Sequence, residues 1–191
     1  MQQRIKQILS RRHKRRIVDP GLVRSAVLVP IYDKQGEYHI LFIKRTQKVK
    51  EHKGQISFPG GAYDDKDDTL LNTALRECAE EIGLMAGDVK VLGELDDVVT
   101  QGSGYIISPF VAVIPWPYQF KANRVEIEEI IEVPISVLLD IRPSQQETKV
   151  MDGETVTSFF YHYEDRVIWG ATARMLNQFL DIFARAMEVT G

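Results

Sequence analysis

The sequence of 191 residues contains one cysteine and no long apolar run. Because Cys78 has no second cysteine to pair with, an internal disulfide and a zinc site built from several cysteines are both excluded. The longest apolar stretches, such as residues 26–31, are about six residues long, whereas a helix that spans a membrane needs roughly 18 or more. We therefore expect a protein without a membrane span, in the reducing environment of the cytoplasm.

Acidic residues are missing from the first 18 positions, which carry seven of the 24 lysines and arginines. The net charge of the whole chain is nevertheless −3, so the remainder is acidic. We predict a basic N-terminal extension over residues 1–20 and one domain over residues 21–191. Ile5, Ile8 and Leu9 have helical spacing, which favours a helix that packs its apolar side on that domain. A transit peptide and a nucleic-acid-binding arm are the other interpretations of such a segment.

Hydrophobic residues make up 44% and charged residues 27% of the chain, which is typical of a globular protein. Apolar, β-branched runs predict strands, and apolar residues at helical spacing predict helices. The predicted strands are residues 23–32, 38–44, 55–58, 89–95, 105–114 and 155–163, and the predicted helices are residues 69–82 and 171–187. Pro134 divides residues 127–139 into a strand and a short helix. This order of elements indicates a mixed α/β domain.

The helix predicted over residues 69–82 has the clearest pattern. Gly83 follows it at the position of a left-handed cap. A tight turn is predicted at residues 59–61, before the acid-rich loop that leads into this helix. The apolar stripe of the helix consists of Leu71, Leu75, Cys78 and Ile82.

Three carboxylates share one face of this helix, because Glu77, Glu80 and Glu81 stand at i, i+3 and i+4. Like charges at this spacing repel each other, and a bound cation would reverse the effect. Oxygen ligands without His or Cys favour a hard ion, so Mg²⁺ or Mn²⁺ is expected. Arg76 is placed to orient a carboxylate by a paired hydrogen bond. The alternative for such a cluster is an ordinary solvated helix face.

Residues 76–84 of this helix, Arg-Glu-Cys-Ala-Glu-Glu-Ile-Gly-Leu, resemble the core of the Nudix box. That pattern is Arg-Glu, an apolar residue, any residue, Glu-Glu, any residue, Gly and an apolar residue. The usual box has a glycine and a further glutamate at spacings that fall here on Ala62 and Asp68. In this chain the glycine is Gly61, one position early, and an aspartate replaces the glutamate. The loop before the helix is therefore one residue longer than in the common pattern.

A second match lies just before the box. Residues 41–46, Leu-Phe-Ile-Lys-Arg-Thr, with Lys50, Gly54 and residues 58–61, Phe-Pro-Gly-Gly, resemble the additional signature of coenzyme A pyrophosphatases, a subfamily of Nudix hydrolases. Lys50 stands where that subfamily prefers Arg, so the charge is retained but planar, bidentate phosphate binding is lost. The two matches together cover residues 41–84.

The resemblance implies a mixed β-sheet sandwiched between α-helices. It implies an enzyme that splits the diphosphate of coenzyme A or acyl-CoA into adenosine 3′,5′-diphosphate (3′,5′-ADP) and (acyl) 4′-phosphopantetheine. It further implies that Glu77, Glu80 and Glu81 bind Mg²⁺ or Mn²⁺. The general base differs among Nudix subfamilies, so Glu126 and Glu129 join the box glutamates as candidates for the base or for an additional metal ligand. A solvated strand edge explains Glu126 and Glu129 equally well.

Substrate-binding candidates lie in and after the loop that precedes the box. Its basic residues suit the 3′-phosphate of coenzyme A, and they are Arg45, Lys50, His52 and Lys53. Gly60 and Gly61 carry no Cβ, so the backbone there can approach a metal or a phosphate closely. Residues 100–104 form a polar loop of the kind that borders a site, although a simple connection is equally compatible with this composition.

Two other functions compete with coenzyme A cleavage. One is a Nudix pyrophosphatase for ADP-ribose, dinucleotides or oxidised nucleotides. The other is a non-catalytic Nudix-like module that binds a nucleotide or RNA, which the intact Glu77, Glu80 and Glu81 argue against. We expect a small, coenzyme A-like substrate rather than a nucleic acid as the partner. The sequence does not decide between a monomer and a homo-oligomer.

Replacement of Lys53 by Glu is expected to raise the KM for coenzyme A more than the KM for 3′-dephospho-coenzyme A, because the reversed charge would repel the 3′-phosphate. Lys50→Glu is expected to behave in the same way. Steady-state kinetics with both substrates measures the difference. Equal effects on the two substrates would contradict a phosphate clamp in this loop.

Overall fold

The structure is a computed structural model and describes residues 1–48, 53–141, 146–151 and 154–188. Its helices are α1 (Gln2–Arg11), α2 (Leu70–Ile82), α3 (Ile135–Asp140) and α4 (Gly170–Glu188). Its strands are β1 (Val23–Lys34), β2 (Glu37–Arg45), β3 (Ile56–Ser57), β4 (Gly60–Ala62), β5 (Lys90–Glu94), β6 (Val98–Val99), β7 (Tyr105–Val113), β8 (Ile127–Pro134), β9 (Gln146–Met151), β10 (Glu154–Phe159), β11 (Tyr161–Tyr163) and β12 (Arg166–Ile168). Among the described helices, none combines the length and the apolarity that crossing a membrane requires.

A mixed sheet forms the centre of the fold, and its main strand order is β3-β2-β1-β7-β5. β1 runs parallel to β7 and antiparallel to β2. Three further strands join this sheet in antiparallel pairs, β4 with β1, β6 with β7 and β8 with β2. The pairs β9–β10 and β11–β12 form two separate small sheets.

Helices cover both faces of the main sheet, and an apolar core lies between the sheet and the helices on each face. Successive side chains of β1 point alternately into these two cores. Val27, Val29 and Ile31 belong to the larger core, which includes apolar residues of α1, α3 and α4. Ala26 and Leu28 belong to the smaller core, which includes the buried residues of α2. The predicted arrangement, a mixed β-sheet between α-helices, is therefore confirmed.

Helix α2 begins one residue after the predicted start and ends at the predicted residue, Ile82. The hydroxyl of Thr69 caps its start by accepting a hydrogen bond from the backbone N–H of Asn72, 3.1 Å away. Gly83 ends it in the left-handed conformation, with φ 69°. The N–H of Gly83 bonds the carbonyl of Ala79, and the N–H of the next residue, Leu84, bonds that of Cys78. The bond from Gly83 is that of the αL capping motif, and both bonds satisfy carbonyls near the end of the helix.

The inner face of α2 is rotated relative to the predicted apolar stripe. Cys78 and Ile82 are fully buried as predicted, but Leu71 and Leu75 are only half-buried. Ala74 and Glu81 are buried instead. Because hydrophobic spacing alone places every glutamate outside, the sequence could not show that one of them lies inside.

Two local predictions are wrong. Residues 59–61 were expected to form a tight turn, but Gly60–Ala62 forms β4, which pairs with residues 25–27 of β1. One strand was expected over residues 155–163, but β10 and β11 are separate and pair with different partners. The local pattern of residues 59–61 does not reveal the pairing with β1, which is distant in sequence, and the apolar run 155–163 does not reveal that it is divided between the pairs β9–β10 and β11–β12.

Helix α1 packs into the larger core, as the spacing of its apolar residues predicts. Ile5 is fully buried and Leu9 nearly so, and Ile8 is partly buried against the same core. Gly93 of β5 makes room for the helix, since a Cβ on it would lie 2.7 Å from Cβ of Leu9. The predicted extension over residues 1–20 therefore contacts the rest of the chain through its apolar side.

The basic residues that follow α1 pair with an acidic cluster at the end of β5. Arg12 lies 2.6 Å from Asp96, and Lys14 lies 3.0 Å from Asp97. The backbone N–H of Ile17 also donates to Asp97, at 2.9 Å. These contacts hold the segment after α1 against the domain and neutralise part of its charge.

Ile5→Ala is expected to lower the free energy of unfolding by about 3 kcal/mol, because it leaves a cavity in the larger core. Val18 is 93% exposed, so the matched control Val18→Ala is expected to change it by less than about 0.5 kcal/mol. Urea unfolding of both variants measures the difference. A small effect of Ile5→Ala would contradict the packing of α1.

Candidate active site

The three box glutamates lie at different depths along one side of α2. Glu81 is 2% exposed and reaches the interior, Glu77 is 19% exposed, and Glu80 is 60% exposed. The predicted carboxylate face therefore extends from the core to the solvent. This graded burial makes the three groups chemically different, although the sequence presents them as equivalents.

Glu81 is held by two donors from the strands that cover α2. Its Oε2 accepts from the backbone N–H of Gly60 at 3.0 Å, and its Oε1 accepts from Arg45 at 3.1 Å. Burial raises the pKa of Glu81 to about 8, the two donors oppose that rise, and the negative charges of Glu77 and Glu126 add to it. A buried carboxylate with such neighbours is a common feature of active sites.

The backbone of β4 approaches the carboxylates closely, and only glycine fits there. A Cβ on Gly61 would lie 2.5–2.7 Å from the carboxyl atoms of Glu77. A Cβ on Gly60 would lie 2.2 Å from the carbonyl oxygen of Ala26 in β1, and Gly60 has a φ of +152°. The two glycines therefore make room for the box carboxylates and for the neighbouring strand, where the sequence had suggested room for a metal or a phosphate.

Arg76 connects the helix to the loop before it. Its Nε and one terminal nitrogen donate to the two carboxylate oxygens of Asp67, both at 3.0 Å. Its other terminal nitrogen donates to Glu77 at 2.7 Å and to Glu80 at 3.3 Å. The hydrogen bonds from Arg76 are the main reason why the pKa of Asp67 falls to about 2. One guanidinium thus restrains three carboxylates.

Asp67, rather than Asp68, is the aspartate that contacts the box arginine. The common spacing of the box falls on Asp68, but Asp68 is exposed, whereas Asp67 is buried. The extra residue of the loop is accommodated in a turn, in which the N–H of Asp67 bonds the carbonyl of Asp64 at 2.8 Å. Sequence spacing missed this residue because the turn shifts the register by one position.

Arg45 lies between two carboxylates. It contacts Glu81 as described, and its second terminal nitrogen lies 3.7 Å from Glu126. Glu126 was predicted as a base or metal ligand, and the structure brings it to the site. Glu129 is not brought there, because its carboxylate pairs with Arg166 at 2.8 Å. Arg45, predicted to bind substrate, has its charge shared with the acidic residues of the site.

A cavity of about 340 Å³ adjoins Gly60 and Gly61. Its walls come from β1, β3, β4, the loop 100–105 and the start of α4. The polar loop at residues 100–104 therefore does border a cavity. The residues that sequence reasoning missed are Trp169 and Arg174, since a tryptophan before a helix and an arginine within one carry no recognisable pattern.

The other predicted substrate residues lie elsewhere or outside the described residues. Lys53 lines a separate groove of about 410 Å³, together with Lys44 and Arg166. Lys50 and His52 fall outside the described residues. Gln55, Ile56 and Trp169 line both the groove and the cavity, so the two spaces are neighbours.

The carboxylates of the site suit a hard divalent cation, although they are not arranged around one. No three metal-ligating side chains converge on a point within residues 1–48, 53–141, 146–151 and 154–188. Arg76 holds oxygens of Glu77 and Glu80. Burial, and also the charges of Glu80 and Glu126, raise the pKa of Glu77. The donors are all oxygens and they repel each other, so Mg²⁺ or Mn²⁺ fits their chemistry.

Asp67→Asn is expected to lower the free energy of unfolding by about 2 kcal/mol at neutral pH. Because folding lowers the pKa of Asp67 from 3.8 to about 2, its contribution is present above pH 3.8 and is lost as the pH falls through about 2. Urea unfolding of wild type and variant at pH values from about 2 to 7 measures how the difference in the free energy of unfolding depends on pH. Asp68→Asn is the matched control, and a larger effect of that variant would contradict the pairing.

Comparison of the sequence with known proteins shows its family. The NUDIX domain model matches residues 22–162. The uncharacterized Nudix hydrolase NudL of Photorhabdus laumondii is 35% identical over 154 residues, which cover 81% of this chain and 81% of that protein. NudL of Yersinia pestis is 34% identical over 153 residues, which cover 80% of this chain and 76% of that protein.

Solved structures agree with this assignment at the level of the fold. A MutT/nudix family protein from Enterococcus faecalis has a TM-score of 0.56 at 14% identity, covering 95% of this chain and 68% of that chain. An Ap4A hydrolase from C. elegans has a TM-score of 0.52 at 16% identity, covering 63% of this chain and 85% of that chain. The family model and the NudL relatives show that the chain belongs to the Nudix hydrolases.

Proposed function

We propose that this pyrophosphohydrolase cleaves the diphosphate of coenzyme A or acyl-CoA to 3′,5′-ADP and (acyl) 4′-phosphopantetheine. The observation that carries the proposal is that the two sequence signatures meet at one carboxylate. Arg45 and Gly60 belong to the signature before the box, and both donate to Glu81 of the box. The signature that resembles coenzyme A pyrophosphatases thus contributes directly to the candidate active site.

The cavity beside the site supports a substrate that is larger than its reacting diphosphate. Its walls combine apolar side chains, such as Ile56 and Phe58, with the polar residues Thr100 and Ser103 and the cation Arg174. A space of about 340 Å³ lies within the range of small-molecule pockets. A nucleotide with a long second arm, such as coenzyme A, offers both apolar and anionic groups for such walls.

Glu77, Glu80 and Glu81 are the proposed ligands of Mg²⁺ or Mn²⁺. Such an ion, when bound, supplies positive charge that neutralises the phosphoryl oxygens as the diphosphate is cleaved. Arg76 is the proposed orienting residue, because its guanidinium holds Glu77 and Glu80 while Asp67 holds the guanidinium. Arg76 contacts one carboxylate oxygen each of Glu77 and Glu80.

Hydrolysis itself needs a group that takes a proton from water. Water adds to one phosphorus, the bond from that phosphorus to the bridging oxygen breaks, and both products leave as phosphomonoesters. Glu126 is the proposed acceptor of the proton, because its carboxylate is 43% exposed and lies beside the Arg45–Glu81 pair. The box glutamates remain the alternative acceptors.

The test is product analysis after incubation with coenzyme A, ADP-ribose or a nucleoside triphosphate, each with Mg²⁺ or Mn²⁺. We expect 3′,5′-ADP from coenzyme A. Glu81→Gln is expected to lower this activity by about 100-fold or more, because it removes the charge of a ligand at the reacting centre.

Glu188→Gln serves as the matched control, because Glu188 is an exposed residue at the far end of α4 and should leave the rate unchanged. Cleavage of ADP-ribose alone would support a catalytic role for α2 and would contradict coenzyme A as the substrate. Binding without any turnover in the presence of either metal would reject the enzyme and favour a nucleotide-binding module.

A further inference from the structure

Arg174 is a half-buried cation that has no carboxylate partner among the described residues. It lies in the first part of α4 and lines the cavity beside the active site. Its guanidinium donates to the carbonyl of Val99 in β6. Partial burial lowers the pKa of Arg174. A cation that is partly removed from water is stabilised by a ligand that supplies the opposite charge.

Two further polar atoms in the wall of the same cavity are buried without a hydrogen bond to the described residues. They are Oγ of Ser103, in the loop before β7, and Nε of Arg45. Buried polar atoms almost always have a partner, so two such atoms beside one cavity indicate a place for a polar ligand. Both can donate a hydrogen bond, as Arg174 can, and this selects a ligand that accepts hydrogen bonds.

We propose that Arg174 and Ser103 bind a phosphate group of the substrate inside this cavity, an inference that rests on the proposed function for the identity of the substrate. A phosphate accepts several hydrogen bonds and carries the negative charge that balances the positive charge of Arg174. In coenzyme A it is either the 3′-phosphate or one phosphate of the diphosphate. Partial burial of Arg174 strengthens its attraction for an anion relative to that of a fully solvated cation.

The groove that contains Lys53 is a weaker candidate for the same role. Two of its cations are already neutralised, because Lys44 pairs with Glu128 at 2.7 Å and Arg166 pairs with Glu129 at 2.8 Å. Asp165 also lines this groove and adds negative charge. In the cavity, by contrast, the partner of Arg174 within the described part of the chain is a backbone carbonyl.

The kinetic test compares Arg174→Gln with wild type on coenzyme A and 3′-dephospho-coenzyme A. Loss of a charge-assisted hydrogen bond is expected to raise KM by about tenfold or more, with a smaller change in kcat. A rise confined to coenzyme A identifies the 3′-phosphate as the bound group, and equal rises identify a phosphate of the diphosphate. Unchanged kinetic constants with both substrates would overturn the inference.

Arg185→Gln is the matched control, since Arg185 is an exposed arginine near the end of the same helix. Arg174→Lys should restore part of the affinity, because it keeps the charge but loses the planar guanidinium. Ser103→Ala should weaken phosphate binding by a smaller factor. This variant replaces Arg174→Gln in the test if Arg174→Gln does not fold. Circular dichroism and the melting temperature establish that each variant is folded.

A direct binding measurement separates this inference from the proposed function. Isothermal titration calorimetry with 3′,5′-ADP needs no turnover, so it can be performed even if the protein does not cleave coenzyme A. We expect wild type and Arg185→Gln to bind 3′,5′-ADP and folded Arg174→Gln to bind it about tenfold or more weakly. Absence of binding to wild type, or equal affinity of the two folded variants, would overturn the inference whatever the enzyme cleaves.

Discussion

Burial of the Glu81 carboxylate is the constraint on which the rest of the site depends. A carboxylate at this depth needs donors, and they come from Gly60 in β4 and Arg45 in β2. In this arrangement β4 lies so close to its neighbours that no Cβ fits, at Gly61 because of Glu77 in α2 and at Gly60 because of Ala26 and Val27 in β1. The Gly-Gly pair of the sequence is thus a consequence of where the box carboxylates lie, and it fixes the edge of the neighbouring cavity as well.

Arg76 performs the corresponding task on the exposed side of α2. Its contact with Asp67 ties the acid-rich loop to the helix, and its contacts with Glu77 and Glu80 hold two carboxylates that would otherwise repel each other. Arg76 engages one oxygen of each of these two glutamates. The arginine therefore maintains the charge balance of the site in the absence of metal, and Asp67 keeps it in place.

The sequence predicted the elements of the site better than their mutual arrangement. Helix α2, its glycine cap and its carboxylates follow from local patterns, which act over a few residues. The burial of Glu81 and the pairing of Asp67 do not, because both depend on contacts with strands and turns that spacing does not describe. The cavity could not be predicted from the sequence for the same reason. Its walls come from segments between Ser25 and Arg174 that only the fold brings together.

A chain with a net charge of −3 must attract an anionic substrate through local charge. Its N-terminal segment is rich in cations, but Arg12 and Lys14 are paired with acidic residues at the end of β5 and are not directed at the site. Arg45 and Arg76 are likewise engaged by carboxylates. In the proposed function, positive charge for the substrate comes from a metal on the box glutamates and from a cation without an acidic partner among the described residues. Of the described residues that line the cavity beside Gly60, Arg174 fits that second role.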